Sequence, residues 1–395
     1  MYPENLFREK TSRKGFPAYN MKEITNILAA YDRLDFTQRK AALATVVHVA
    51  GSSYRREGAR MLIVDDGHWT GGISGGCLED DTVRKANMAI FQQKPRVVRY
   101  DTTQDDPFQI GVGLGCKGII DVLIEPVDAA DPFNPVELLR TVAGQRGDAA
   151  LGVVTTSDSP EVPVGLRILK TKDDLVVNMA PVADWGRLTD EVTETMKIGV
   201  FRQLEMTWSD GQAVKFFVEM IQPPIHLVAL GSNHDLLPLL EIGRTLGWRL
   251  SVVGNLRKIG KPIFELATVV ADFGQLPVPP DDRTAAVLMS HDYKTDFANL
   301  HKLLPAGLPF IGLLGPRKRT ERMLEALENE GIHLSPAQLD TLHGPAGLDL
   351  GATTPESIAL SIAAEIQSVF GRRKGGSLRQ RSGPIYDRKT LTENA

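Results

Sequence analysis

Beyond Pro223-Pro224 the chain repeats one pattern, in which a short apolar run and a polar or glycine turn lead into a helical stretch and then a further apolar run. Ile225 to Leu230 and Arg249 to Val253 bracket an apolar helix ending near Leu246, which reads as a βαβ unit. Thr268 to Ala271, Ala285 to Met289 and Phe310 to Leu314 continue the series. These runs are apolar throughout rather than alternating, as strands must be when helices cover both faces of a parallel sheet. The pattern predicts a Rossmann-like parallel-sheet domain over residues 223–371. Its last helix starts at Thr354-Pro355-Glu356, carries Ile358, Ile362, Ile366 and Phe370 on one stripe, and stops at Gly371. The basic, glycine-rich residues 372–395 read as a mobile tail.

The N-terminal half has a different rhythm. Residues 1–20 read as a flexible segment, followed by a helix from Lys22 to Leu34 with Ile24, Ile27, Leu28 and Tyr31 at helical spacing. Ala41 to Ala50 and Arg60 to Val64 read as strands, with Asp65-Asp66-Gly67 as the turn after the second. A helix is predicted from Leu78 to Phe91 with Ser74 as its cap, then strands at Arg96 to Tyr100 and Ile119 to Ile124. Residues 21–127 thus form an α/β domain that precedes the parallel-sheet domain. Residues 128–222, with one helix near Val136 to Ala143 and several short strand candidates, read as its β-rich extension.

Charge and cysteine usage narrow the function classes. A net charge of −4 over 395 residues, with interspersed signs, gives no general attraction to nucleic acid or anionic membranes. The start of the chain is polar and basic and lacks the apolar core of a signal peptide, and no run approaches a membrane span, which predicts a cytoplasmic protein. Two cysteines cannot build a disulfide scaffold.

Both cysteines nevertheless stand in unusual places. Cys77 follows Ser74-Gly75-Gly76 at the start of the predicted helix, where the macrodipole and unpaired N–H groups favour a thiolate. Gly71, Gly72, Gly75 and Gly76 remove side-chain bulk, so that a ligand can approach the backbone. Glu79, Asp80 and Asp81 oppose the thiolate by like-charge repulsion, or else are surface residues favoured by the dipole. Cys116 repeats the setting in Gly113-Leu114-Gly115-Cys116, with Lys117 beside it. Arg55, Arg56 and Arg60 are candidates for contacts to an anionic ligand, or else a solvated face. The cysteines lack zinc spacing, and neither His48 nor His68 carries a pattern that marks it as a base for nucleophilic catalysis.

The dinucleotide fingerprint of the second domain is damaged. Gly231 begins it, but Asn233 and Leu236 stand where the second and third glycines belong, and Gly254-Asn255 replaces the acid expected at the end of the second strand. This argues against NAD. Gly231, His234, His291 and Asp292 remain candidates at the edge of the sheet, where ligands bind in this architecture.

Taken together, Gly51-Ser52-Ser53, Gly58-Ala59-Arg60-Met61, Ser74-Gly75-Gly76-Cys77-Leu78-Glu79, Gly113-Leu114-Gly115-Cys116, Ile124-Glu125-Pro126, Ser290-His291-Asp292, Tyr293 to Asp296, Ile311 to Gly315 and Gly347 to Ala352 with Thr354 to Ala359 resemble the XdhC/CoxI family in order and spacing. The resemblance implies a molybdenum-cofactor chaperone rather than an enzyme, one that protects the sulfurated cofactor and inserts it into a xanthine dehydrogenase-like hydroxylase. It implies that Cys77 ligates molybdenum through the cofactor, in mononucleotide or dinucleotide form. It further implies that Ser74, Gly75, Gly76, Cys116, Arg55, Arg56, Arg60 and Lys117 complete the site. The implied partners are the apo hydroxylase, cofactor-sulfurating and nucleotidyl-transferring enzymes, and a second copy in a homodimer. The alternative reading of the residues is an NAD-dependent oxidoreductase using the C-terminal domain. Three departures from the family pattern lie in that domain: Gly231-Ser232-Asn233-His234 for Gly-Ala-Gly-His, Gly254-Asn255 at the strand end, and Gly315-Pro316-Arg317 for Gly-Ser-Arg.

Overall fold

The computed structural model of the protein describes residues 21–103, 118–177, 185–199, 201–382, 385 and 391–394. They fall into two units, divided between Pro223 and Pro224, with the C-terminal strand belonging to the first.

The first unit begins with α1 (Met21–Tyr31), β1 (Ala41–Gly51), β2 (Arg60–Val64), β3 (Trp69–Gly71), α2 (Glu79–Gln92), β4 (Arg96–Asp101) and β5 (Gly118–Val127). The sheet order is β3-β2-β1-β5-β4, and every pair is antiparallel. Strand β1 is apolar on both sides because both are covered. Ala42, Ala44 and Val46 pack with Ala86, Ala89 and Ile90 of α2, while Ala41 and Leu43 pack with Ile24, Ile27 and Leu28 of α1. A continuous apolar run therefore marks burial on two faces, not parallel pairing.

The region after β5 supplies α3 (Pro135–Ala143), β6 (Ala149–Ser157), β7 (Arg167–Lys170), β8 (Leu175–Val177), α4 (Trp185–Ile198), β9 (Arg202–Thr207) and β10 (Ala213–Ile221). Helix α4 lies where only strands were expected. Its Leu188 and Val192 are buried against this sheet, and its exposed face is polar enough to mask the helical period. The order is β9-β10-β6-β7-β8, and Leu391–Asn394 adds a parallel strand beside β9. The end of the segment expected as a tail is therefore paired. The two sheets of the unit share a core through Val47, Leu123, Val153 and Phe217.

The second unit contains β11 (His226–Leu230), α5 (Leu236–Thr245), β12 (Arg249–Val253), α6 (Lys261–Leu266), β13 (Thr268–Val270), β14 (Thr284–Leu288), α7 (Tyr293–Leu303), β15 (Phe310–Leu313), α8 (Arg317–Asn329), α9 (Pro336–Leu339), β16 (Leu342–His343) and α10 (Pro355–Phe370). The strands are all parallel in the order β13-β12-β11-β14-β15-β16. The order reverses between β11 and β14, so a crevice opens there at the carboxyl ends of the strands. Helix α10 begins as predicted, with Thr354 and Ser357 forming a reciprocal cap, and buries Ala359, Ile362, Ala363 and Ile366. Among the described residues no helix is long and apolar enough to cross a membrane.

Candidate functional site

Helix α2 starts at Glu79, two residues after Cys77, and Leu78 occupies the cap position without a side-chain cap. Ser74, expected as that cap, acts on the loop instead. Its hydroxyl accepts hydrogen bonds from the backbone N–H groups of Gly76 at 3.2 Å, Cys77 at 3.1 Å and Leu78 at 3.2 Å. The Glu79 carboxylate lies buried beneath the same loop. It accepts from the N–H groups of Ile73 at 3.2 Å, Ser74 at 2.8 Å and Leu78 at 3.1 Å, and from the Ser74 hydroxyl. Burial alone would raise its pKa, but these hydrogen bonds outweigh it and hold the group below the usual glutamate value. Glu79 and Asp81 are thus buried and hydrogen-bonded rather than surface residues. Asp81 bonds Lys85 at 2.7 Å and Arg84 at 3.1 Å.

Cys77 is half-buried, leans on the core around Ile73 and Leu78, and sets its thiol 3.4 Å from the Ser74 hydroxyl. Its flank is open. A Cβ added at Gly76 would meet nothing within 4 Å, and one at Gly75 would first meet Tyr54 at 3.6 Å, an ordinary van der Waals contact. Tyr54 is 69 % exposed and stands beside the glycines, an aromatic face the sequence pattern gave no reason to single out. The loop therefore presents a soft sulfur donor with space next to it. Its N–H groups at residues 73, 74, 76, 77 and 78, expected to be available to an anion, are already bonded to Ser74 and Glu79.

The three nearby arginines are matched by carboxylates. Arg55 pairs with Glu23 at 2.5 Å, Arg56 with Glu57 at 3.3 Å, and Arg60 with Glu219. Arg60 is fully buried, its guanidinium also donating to the Gly58 carbonyl at 2.8 Å while its backbone N–H donates to Glu23 at 2.8 Å. Burial pulls its pKa down to about 10, still cationic at neutral pH, and its role is to join β2 to β10. Arg55 and Arg56 keep some exposure. Cys116 and Lys117, with the glycines before them, lie outside the described residues.

In the second unit Gly231 directly follows β11 and Met289 directly follows β14, and the two approach so closely that a Cβ on Gly231 would lie 2.6 Å from the Met289 carbonyl. His291 follows β14 with φ of 60°, a strained conformation for a residue with a side chain, and its Nε2 lies 2.6 Å from Asp235 Oδ2. His234 precedes Asp235 in the loop after β11. Asp292 is the cap of α7, accepting from the Thr295 hydroxyl at 2.6 Å and N–H at 2.8 Å, bonds that hold its carboxyl below the usual aspartate range. His234, Asp235 and His291 line a cleft of about 1040 Å³ together with Arg319 from α8 and the loop before α10. Asp235 and Arg319 are the site residues that sequence reasoning missed there. The bond to His291 across the sheet reversal reveals Asp235, and the shared cleft reveals Arg319.

Comparison with protein families places residues 37–101 in the XdhC and CoxI family and residues 227–366 in the XdhC Rossmann domain. The chain belongs to the XdhC/CoxI family. The first XdhC/CoxI match contains the Cys77 loop, and the second contains the whole sheet reversal. Among curated relatives, a Bacillus subtilis protein named as a probable subunit of xanthine dehydrogenase is 28 % identical over 353 residues, covering 86 % of this chain and 96 % of that protein. The molybdenum cofactor insertion chaperone PaoD of Escherichia coli is 23 % identical over 330 residues, 83 % of each chain. A crystal structure described as a xanthine dehydrogenase from Bacillus halodurans superposes with a TM-score of 0.70 at 26 % identity, over 90 % of this XdhC/CoxI chain and 98 % of that one.

Proposed function

We propose that the protein is a cytoplasmic accessory factor that receives molybdenum cofactor, shields it, and delivers it to an apo hydroxylase of the xanthine dehydrogenase type. The observation that carries this reading is the Cys77 loop. A thiol stands half-exposed on an open glycine flank while Ser74 and Glu79 fix the backbone behind it. A thiolate is a soft ligand suited to molybdenum, and a preformed loop lowers the ordering cost of binding. The relative named as a cofactor insertion chaperone supports the same role.

Each residue has a defined part in this account. Cys77 contacts the metal of the cargo, Ser74 places the sulfur through its bonds to residues 76–78, and Glu79 holds Ser74 in turn. Gly75 and Gly76 leave room for a bulky cargo, and Arg55 and Arg56 reach its anionic groups only by exchanging their present carboxylate partners. The cargo in its sulfurated form, Cys116 and Lys117 as further contacts, the sulfurating and nucleotidyl-transferring enzymes as further partners, and a homodimer as the working assembly complete the proposal.

The test is reconstitution. Wild-type protein loaded with cofactor should activate an apo hydroxylase, and Cys77→Ala should not. The dehydrogenase names of the Bacillus proteins favour the alternative of an oxidoreductase. Turnover of a purine by the isolated chain with NAD(H), without cofactor transfer, would establish that alternative instead.

A further inference from the structure

The loop that joins β1 to β2, residues 52–59, is tied down along its second half. Glu23 of α1 grips it twice, accepting from the Arg55 guanidinium at 2.5 Å and from the Arg60 N–H, where β2 begins, at 2.8 Å. Buried Glu57 accepts from the Val49 N–H at 3.1 Å, and the N–H groups of Gly58 and Ala59 donate to the Val46 and Arg56 carbonyls at 2.8 Å and 3.1 Å. Every residue from Arg55 to Arg60 thus takes part in a hydrogen bond.

Tyr54, directly before this pinned stretch, is the exception. Its side chain is 69 % exposed and, among the described residues, has no hydrogen-bond or ring partner. One exposed aromatic on a surface is ordinary. The position of this one is not. Its Cγ and Cδ1 lie 3.6 Å and 3.7 Å from where a Cβ on Gly75 would stand, and Gly76, at φ of 109°, has nothing within 4 Å of its own Cβ position. Cys77 follows, half-buried, on a backbone that Ser74 and Glu79 fix. An aromatic ring and a thiol are therefore carried by two separately pinned loops, and the two residues between Ser74 and Cys77 put no side chain into the space beside the ring.

We propose that Tyr54 is a specificity-determining contact of the Cys77 site: its ring stacks on the flat pterin ring system of the cargo, while Cys77 holds the metal end. The inference rests on the reading of Cys77 as a molybdenum ligand, and adds to it a means of recognising the organic part of the cargo. A thiolate alone accepts many soft metal centres. An aromatic face selects among them the one that is attached to a planar ring. A tyrosine has only two side-chain torsions to fix, and on a loop that is already held its stacking costs little conformational freedom. The ring face does the work, so the phenol hydroxyl is not required.

The test is titration of the full chain with molybdenum cofactor, read by quenching of pterin fluorescence, for wild type, Tyr54→Phe, Tyr54→Leu, Tyr54→Ala and Cys77→Ala, each shown to be folded by circular dichroism. Tyr54→Phe should bind as the wild type does. Tyr54→Leu, which keeps apolar bulk without a flat face, and Tyr54→Ala should each weaken binding by about tenfold, the loss of one stacked ring. The rate of Cys77 alkylation by a small reagent in the unloaded Tyr54 variants should match the wild type, which separates a lost cargo contact from a disturbed loop. Wild-type affinity in Tyr54→Leu or Tyr54→Ala, beside weakened binding in Cys77→Ala, would overturn the stacking role and leave the reading of Cys77 standing. Wild-type affinity in Cys77→Ala, beside weakened binding in Tyr54→Ala, would overturn the reading of Cys77 and keep the stacking contact. A loss in Tyr54→Ala that comes with altered alkylation of Cys77 would make Tyr54 a prop for the loop and overturn the proposal.

Discussion

Glu79 accepts hydrogen bonds from both the backbone N–H and the hydroxyl of Ser74, five residues earlier in the chain. That closure turns a glycine-rich segment into a fixed loop. Ser74 in turn collects the N–H groups of Gly76, Cys77 and Leu78, so the position of the Cys77 sulfur depends on a carboxylate buried beneath the loop.

Substituting Glu79→Gln should therefore loosen the loop at unchanged composition of the open flank. It places an amide donor against N–H groups that need an acceptor, at an expected cost of about 1–3 kcal/mol. Thermal unfolding reads the stability loss. Faster alkylation of Cys77 by a bulky maleimide, relative to wild type, reads the loosening itself.

The same carboxylate predicts an acid response. Its pKa in the folded protein lies below the ordinary value, so its contribution is present above the unfolded carboxylate pKa, about 4.3, and is lost as pH falls through the folded value. The melting temperature of the wild type should fall more steeply than that of Glu79→Gln below about pH 4. Parallel curves for the two proteins would assign the acid sensitivity to other groups.

Gly71 and Gly76 separate crowding from backbone conformation. Both have positive φ, but a Cβ at Gly71 would lie 2.3 Å from the Arg60 carbonyl whereas one at Gly76 meets open space. Gly76→Ala should cost about 1–2 kcal/mol from conformation alone. Gly71→Ala adds a backbone collision and should cost more. Chemical denaturation of the two variants measures the difference.

Arg60 and Glu219 form a buried pair between β2 and β10. Removing one partner leaves an uncompensated charge, and Arg60→Met should cost about 3–5 kcal/mol. Adding Glu219→Leu should recover a good part of that loss, because it removes the stranded carboxylate. If Arg60 were instead an anion-binding residue, the single variant would be close to wild type in stability.

The parallel sheet of the second unit was legible because its strands are apolar runs spaced by helices, a pattern that local sequence expresses directly. The Thr354 cap and the α10 stripe were legible for the same reason. Helix α4 was hidden, since its buried stripe includes Thr195 among polar neighbours and reads as little more than a polar segment. At the candidate site, the half-exposed Cys77 stands on the glycine loop that its sequence context marked. The roles of Glu23, Glu219 and Asp235 were not legible, because each is defined by a partner from 32 to 159 residues away in the chain, at Arg55, Arg60 and His291. A run of arginines looks like an anion site until the carboxylates that neutralise it are brought beside it by folding.

The central claim, that Cys77 anchors molybdenum cofactor, is tested most directly by loading wild type and Cys77→Ala with cofactor, passing both through gel filtration, and measuring protein-bound molybdenum and pterin. The account predicts near-stoichiometric molybdenum and pterin on the wild type and little of either on Cys77→Ala, with both proteins folded by circular dichroism. Equal retention of molybdenum by a folded Cys77→Ala protein would contradict it.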